Sequence, residues 1–183
     1  MSWFERPVVV RLLTLFALSA LLGGCFQPMY AENSLSSSPG LRDKLAGIEL
    51  PTVKTTRPND QRLGVAVKNA LAFSFYGSAT GQSPTHSLEV NLSTTVEAII
   101  VDVTTGRPDI EDYNIDARYV LREIATGKAV VSGNTFARVS FDIPGQEQRF
   151  ARARGLRDAE DRATQQIANN ISQRMASYFV AGG

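Results

Sequence analysis

An α+β two-layer sandwich is the fold this chain predicts: a mainly antiparallel sheet with two helices packed on one face, in the order β-α-β-β-β-α. Three observations carry it. Apolar and polar residues alternate along 87–98, 113–121 and 131–143, apolar residues recur at three- and four-residue steps along 60–76 and 156–179, and a short apolar run at 48–53 precedes the first helix.

The chain opens on a segment that is not part of this domain. Arg6 and Arg11 precede an apolar run from Leu12 to Leu22, with the charge, length and small-residue finish of a secretory signal peptide. Eleven residues are too short to span about 30 Å of hydrocarbon. Leu22, Gly23, Gly24 and Cys25 then resemble the lipobox, whose cysteine receives diacylglycerol and becomes the mature N-terminus. Cys25 is the single cysteine of the chain, so no internal disulfide can form and lipidation accounts for it. Two or three acyl chains on one residue anchor stably where a single chain does not. Residue 26 is Phe, not the Asp that holds lipoproteins at the inner membrane of enterobacteria, and this directs the protein to the periplasmic face of the outer membrane.

The domains read as 1–24 signal peptide, 25–45 lipidated N-terminus and flexible tether, and 46–183 a single α+β domain. Residues 26–42 are rich in Gln, Pro, Ser, Asn and Gly and bury too little apolar surface to order themselves. Ile48, Leu50 and Val53, interrupted by Pro51, suit an edge strand, because proline cannot donate to a ladder. Arg57, Pro58, Asn59 and Asp60 break the chain and supply N-caps. Leu63, Ala66, Val67, Ala70, Leu71 and Phe73 form the apolar stripe of a helix that ends at Gly77.

The strongest pattern follows. Leu88, Val90, Leu92, Val96, Ala98 and Ile100 hold even positions and polar residues the odd ones, so one face of a long strand is wet; the alternation breaks at Ile99 to Val101, where a bulge fits. After a turn at Gly106 to Asp109, Tyr113, Ile115, Ala117, Tyr119 and Leu121 alternate, and so do Val131, Ala137, Val139, Phe141 and Ile143. Joining two odd-numbered sets needs an odd loop. A three-residue loop at 126–128 sets Tyr119 opposite Thr135, Tyr113 opposite Phe141 and Asp116 opposite Arg138. Pro144 and Gly145 stop the strand. Leu156, Ala159, Ala163, Ile167, Ile171, Met175 and Phe179 then mark a long amphipathic helix.

Composition excludes several classes. Without residues 1–24 the chain keeps 17 of its 19 basic and 17 of its 18 acidic residues, so it lacks the basic excess of a nucleic-acid binder. His86 is the single histidine; a His/Cys metal site fails on count, and a serine triad would have to use that residue. It reads as a strand-end residue. Glu97, Asp102, Asp109, Glu111 and Asp112 gather near a turn and on a wet strand face, where solvated carboxylates are expected. No enzyme and no cofactor are expected. The sheet face opposite the helices should be open and carry Glu89, Asn91, Ser93, Thr95, Arg118, Arg122, Ser132, Asn134 and Arg138. Arginines there can bind phosphate or carboxylate bidentately, and Arg118 and Arg122 are the ligand-binding candidates.

Gly24, Cys25, Phe26, Gln27, Pro28, Met29 and Tyr30, followed by these elements in this order, resemble the lipopolysaccharide-assembly lipoprotein family LptE in its alphaproteobacterial form. The glycine that follows the cysteine in that branch is absent here. The resemblance implies a non-enzymatic protein that sits one-to-one inside the outer-membrane β-barrel LptD, assists its assembly, plugs it and binds lipopolysaccharide in transit. The alternatives are a lipid-binding accessory lipoprotein of another periplasmic transport system and, last, a periplasmic hydrolase that His86→Ala would disable.

Overall fold

The computed structural model describes residues 40–77, 83–104, 106–143 and 150–182. The signal-peptide and lipidation readings, Cys25 included, and the stop at Pro144 and Gly145 lie outside these residues. What is described is the α+β sandwich: a five-stranded mixed sheet with helices on one face.

Order begins before residue 46. Leu41–Ala46 form a short helix, α1, whose Leu45 is buried against the two long helices, so the stretch read as tether gives up its last residues to the fold. The edge of the sheet is two dipeptides, β1 (Ile48–Glu49) and β2 (Lys54–Thr55), with Pro51 between them. Both run parallel to the next strand, at Ile48 opposite His86 and Lys54 opposite Asn91. Parallel pairing requires a crossover, and helix α2 (Gln61–Tyr76) supplies it.

In α2 the buried row is Leu63, Val67, Leu71 and Phe75, a strict four-residue step. Phe73, read as part of the stripe, is 79% exposed; two residues on from Leu71 it lies about 200° around the helix, on the far side. Gly64 allows the close approach to β2: a Cβ there would meet the Val53 carbonyl oxygen at 3.1 Å. Asp60 stands at the N-cap but makes no side-chain cap bond. Its carboxylate instead accepts from Thr94 Oγ1 at 2.5 Å.

β3 (His86–Asp102) and β4 (Arg107–Glu123) pair antiparallel along their full lengths, with register shifts around Ile100 at the expected break. Arg107 already belongs to β4, so the reversal falls earlier than the Gly106–Asp109 turn, with Gly106 at φ 67°. Only the first half of β3 faces the core: Leu88, Val90 and Leu92 are buried, while Val96, Ile99, Ile100, Val101 and Val103 are exposed. The alternation continues there without a helix above it.

β5 (Ala129–Asp142) pairs with β4, but two residues out of the predicted register: Tyr119 faces Gly133, Tyr113 faces Val139, and Arg138 faces Asn114, not Asp116. Five residues, 124–128, connect the strands, but Glu123 N–H bonds to the Lys128 carbonyl and Gly127 N–H to the Glu123 carbonyl, so the loop closed by the ladder is the even four-residue stretch 124–127. A bulge between Leu121 and Arg122 adds the residue that restores parity. The apolar faces therefore match as expected although the partners differ.

The last helix, α3 (Ala151–Val180), buries Ala159, Ala163, Ile167, Ile171, Met175 and Phe179, with Leu156 partly buried beside them. It packs on β5, β4 and α2, and its buried residues share one continuous core with Ala117 and Ala137 of the sheet.

Candidate functional site

The face of the sheet away from the helices is where a ligand or partner can reach polar side chains. The ladder sets its residues in rows across three strands: Glu97, Asp112 and Ser140; Thr95, Asn114 and Arg138; Ser93, Asp116 and Phe136; Asn91, Arg118 and Asn134. Ser87 and Arg122 form the last pair toward the hairpin loop.

These rows sort the arginines. Arg138 is engaged: its Nε donates to Asn114 Oδ1 at 2.8 Å and lies 3.8 Å from Asp112 Oδ2, while Ser140 Oγ donates to Asp112 Oδ1 at 2.6 Å. Arg122 has Nε 3.8 Å from Glu89 Oε1 and Nη1 3.4 Å from the Gly127 carbonyl. Arg118 is exposed between Asn91 and Asn134 and has no carboxylate partner among the described residues. Both candidates thus share the open face, but Arg118 is the one whose planar fork is available for a phosphate or carboxylate.

Two carboxylates expected to be solvated are not. Asp112 is buried under the Arg138 and Ser140 side chains, and Glu111, on the core face, is buried beneath Arg152 of α3, whose Nη2 donates to Glu111 Oε2 at 2.7 Å. A buried carboxylate without such donors would be costly. Phe136, 67% exposed in the middle of the polar face, was also missed; its signal was an aromatic at an even position of a strand whose core set is odd.

His86 stands elsewhere, at the start of β3. Its ring meets Phe179 edge-on at 5.2 Å, and Nδ1 lies 2.9 Å from Thr85 Oγ1. Burial pushes its pKa down, with nearby Glu123 opposing and Lys44 assisting. Among the described residues no group of three or more His, Cys, Asp or Glu is placed to hold a metal ion. A separate groove of about 700 Å³ runs between α2 and α3, lined by Ala66, Ala70, Phe73, Asp161 and Thr164 among others.

No protein-family model matches the chain, and none of the curated proteins does. The fold has counterparts among bacterial lipoproteins of solved structure. It is similar to a candidate lipoprotein from Caulobacter crescentus (TM-score 0.60, 17% identity, 79% of this chain and 98% of that one). It is also similar to rare lipoprotein B from Shewanella oneidensis (0.52, 16%, 73% and 96%) and to lipoprotein B from Nitrosomonas europaea (0.53, 10%, 83% and 95%). The class is thus defined by fold: an α+β domain of the kind these lipoproteins carry.

Proposed function

We propose that the chain is a lipid-anchored outer-membrane lipoprotein of the LptE type, which binds the LptD β-barrel, assists its assembly, plugs it and takes part in lipopolysaccharide transport. The observation that carries the reading is the polar sheet face turned away from the helices, with Arg118 exposed on it and without a carboxylate partner among the described residues, on a fold shared with rare lipoprotein B. The lumen of a large outer-membrane barrel is polar, and a face of Asn, Ser, Thr and paired charges is matched to it. An unpaired guanidinium is suited to the phosphates of lipopolysaccharide. Cys25 supports the anchor on sequence grounds.

The test is a mild-detergent pull-down of the tagged full chain from outer membranes, with the stoichiometry of each co-purified protein. One large barrel at one-to-one supports the reading. Inner-membrane transporter components without a barrel would overturn it.

The groove between α2 and α3 favours a second reading, a lipid-carrying accessory lipoprotein. Its shelf of Ala66, Ala70 and Phe73 offers apolar surface to an acyl chain. Phospholipid co-extracted with the pure protein, and lost in Ala70→Gln, would favour this reading.

A further inference from the structure

β5 ends the sheet, and among the described residues it pairs with β4 alone. Residues of an antiparallel strand alternately direct both main-chain groups toward one neighbour and then toward the other side. Ile143 N–H donates to the Asp109 carbonyl at 2.8 Å. The odd-numbered residues of β5 therefore turn their main chain to β4, and Ser132, Asn134, Phe136, Arg138 and Ser140 turn theirs outward. The Ser140 carbonyl accepts from Arg162 Nη2 at 3.4 Å. The outward main-chain groups of the other four meet no partner among the described residues.

Such an edge is a template for another strand unless it is short, charged, bulged or interrupted by proline. β5 has 14 residues, none of them Pro or Lys, and its charges are Arg138 and Asp142. Its bulge lies near its start, before the outward-facing stretch. Phe136 stands exposed in the middle of that stretch.

We propose that two copies of the chain join edge to edge through β5, antiparallel about a two-fold axis at Phe136. The two Phe136 residues then face each other and Asn134 faces Arg138, each pair exchanging outward-turned main-chain groups, and Ser132 faces Ser140, whose carbonyl is shared with Arg162. The second copy is the occupant because this strand is self-complementary in that register: no like charges oppose, and the two phenyl rings leave water against each other. An axis at Arg138 would set two guanidiniums face to face. The axis stands perpendicular to the sheet, so both helix layers fall on one side and the two Arg118 faces join on the other. This association does not rest on the barrel-bound reading: it is a state of the chain outside a barrel, since a one-to-one plug has no second copy at its β5 edge.

The test is oxidative cross-linking of the full chain in detergent, carrying Phe136→Cys, with copper-phenanthroline. Paired residues of this kind lie about 5.5 Å apart at Cα, within disulfide reach. The expected result is a dimer whose linked peptide joins 136 to 136, beyond any background from Cys25 in the unsubstituted chain. In sedimentation velocity, Phe136→Lys should raise the dimer dissociation constant at least tenfold while keeping the circular dichroism of the original chain. An unsubstituted chain that stays monomeric at every concentration, with no 136–136 link, overturns the proposal. So does a link from position 136 to a different protein.

Discussion

Tyr119 and Gly133 face each other across β4 and β5 so closely that a Cβ on residue 133 would stand 2.7 Å from Tyr119 Oη and 2.9 Å from Cζ. Glycine in a strand normally weakens it. Here it makes room for a phenol that is 6% exposed at the edge of the core. Gly133→Ala should therefore destabilise the domain by about 1–3 kcal/mol, the usual cost of overpacking, in urea unfolding. A gain in stability would mean that the ring moves freely and that strand propensity decides.

Arg152 covers a buried carboxylate. Glu111 is 7% exposed and Arg152 about half exposed, so removing the guanidinium leaves an acceptor without its donor. Arg152→Ala should cost about 1.5 kcal/mol, the low end for a hydrogen bond to a charged group, because solvent screens the arginine. Glu111→Gln should remove most of that cost in a double-mutant cycle. Additive effects of the two substitutions would show that the contact contributes nothing.

His86 has its pKa lowered, chiefly by burial. The unfolded chain then binds more protons near the ordinary histidine value than the folded one does, and stability rises with pH through that range. On acidification stability should fall from about pH 6.5 until the folded form also protonates. His86→Gln should flatten this slope, as read from melting temperatures between pH 5 and 8.

Tyr113 moves the other way. Burial, then the Asp60 carboxylate, push its pKa up to about 12. The unfolded state loses its proton first as pH rises past about 10, so stability is lost above that value. Ultraviolet titration should show Tyr113 ionising late, beside Tyr76, whose pKa burial also raises, and Asp60→Asn should bring Tyr113 earlier.

The long periodic elements were legible because burial leaves a stripe. Ala159 to Phe179 in α3 and Tyr113 to Leu121 in β4 read directly, and so did the open polar face. What failed was whatever depended on a neighbour absent from the local pattern. Val96 and Ile100 keep the strand alternation but extend past the helices, so they are exposed. Glu111 and Asp112 are polar yet buried because Arg152, Arg138 and Ser140 approach from other elements. The hairpin register turned on one bulge near Arg122 that no residue type announced. Among the site residues, Arg118 and Arg122 were indistinguishable in sequence; the ladder that brings Glu89 near Arg122 separates them.

That separation gives the functional test. If the open face binds the phosphates of lipopolysaccharide, the guanidinium of Arg118, which has no carboxylate partner among the described residues, should matter more than the occupied one of Arg122. Arg118→Ala should weaken retention of lipopolysaccharide by the purified full chain about tenfold, corresponding to one charge-assisted contact of about 1.4 kcal/mol. Arg122→Ala should change it less than twofold, because Glu89 and the Gly127 carbonyl already hold that side chain. Arg118→Lys should recover part of the loss, since it restores charge without the bidentate fork. Equal losses for Arg118→Ala and Arg122→Ala would point to bulk charge on the face, and no loss for Arg118→Ala would remove this residue from the site.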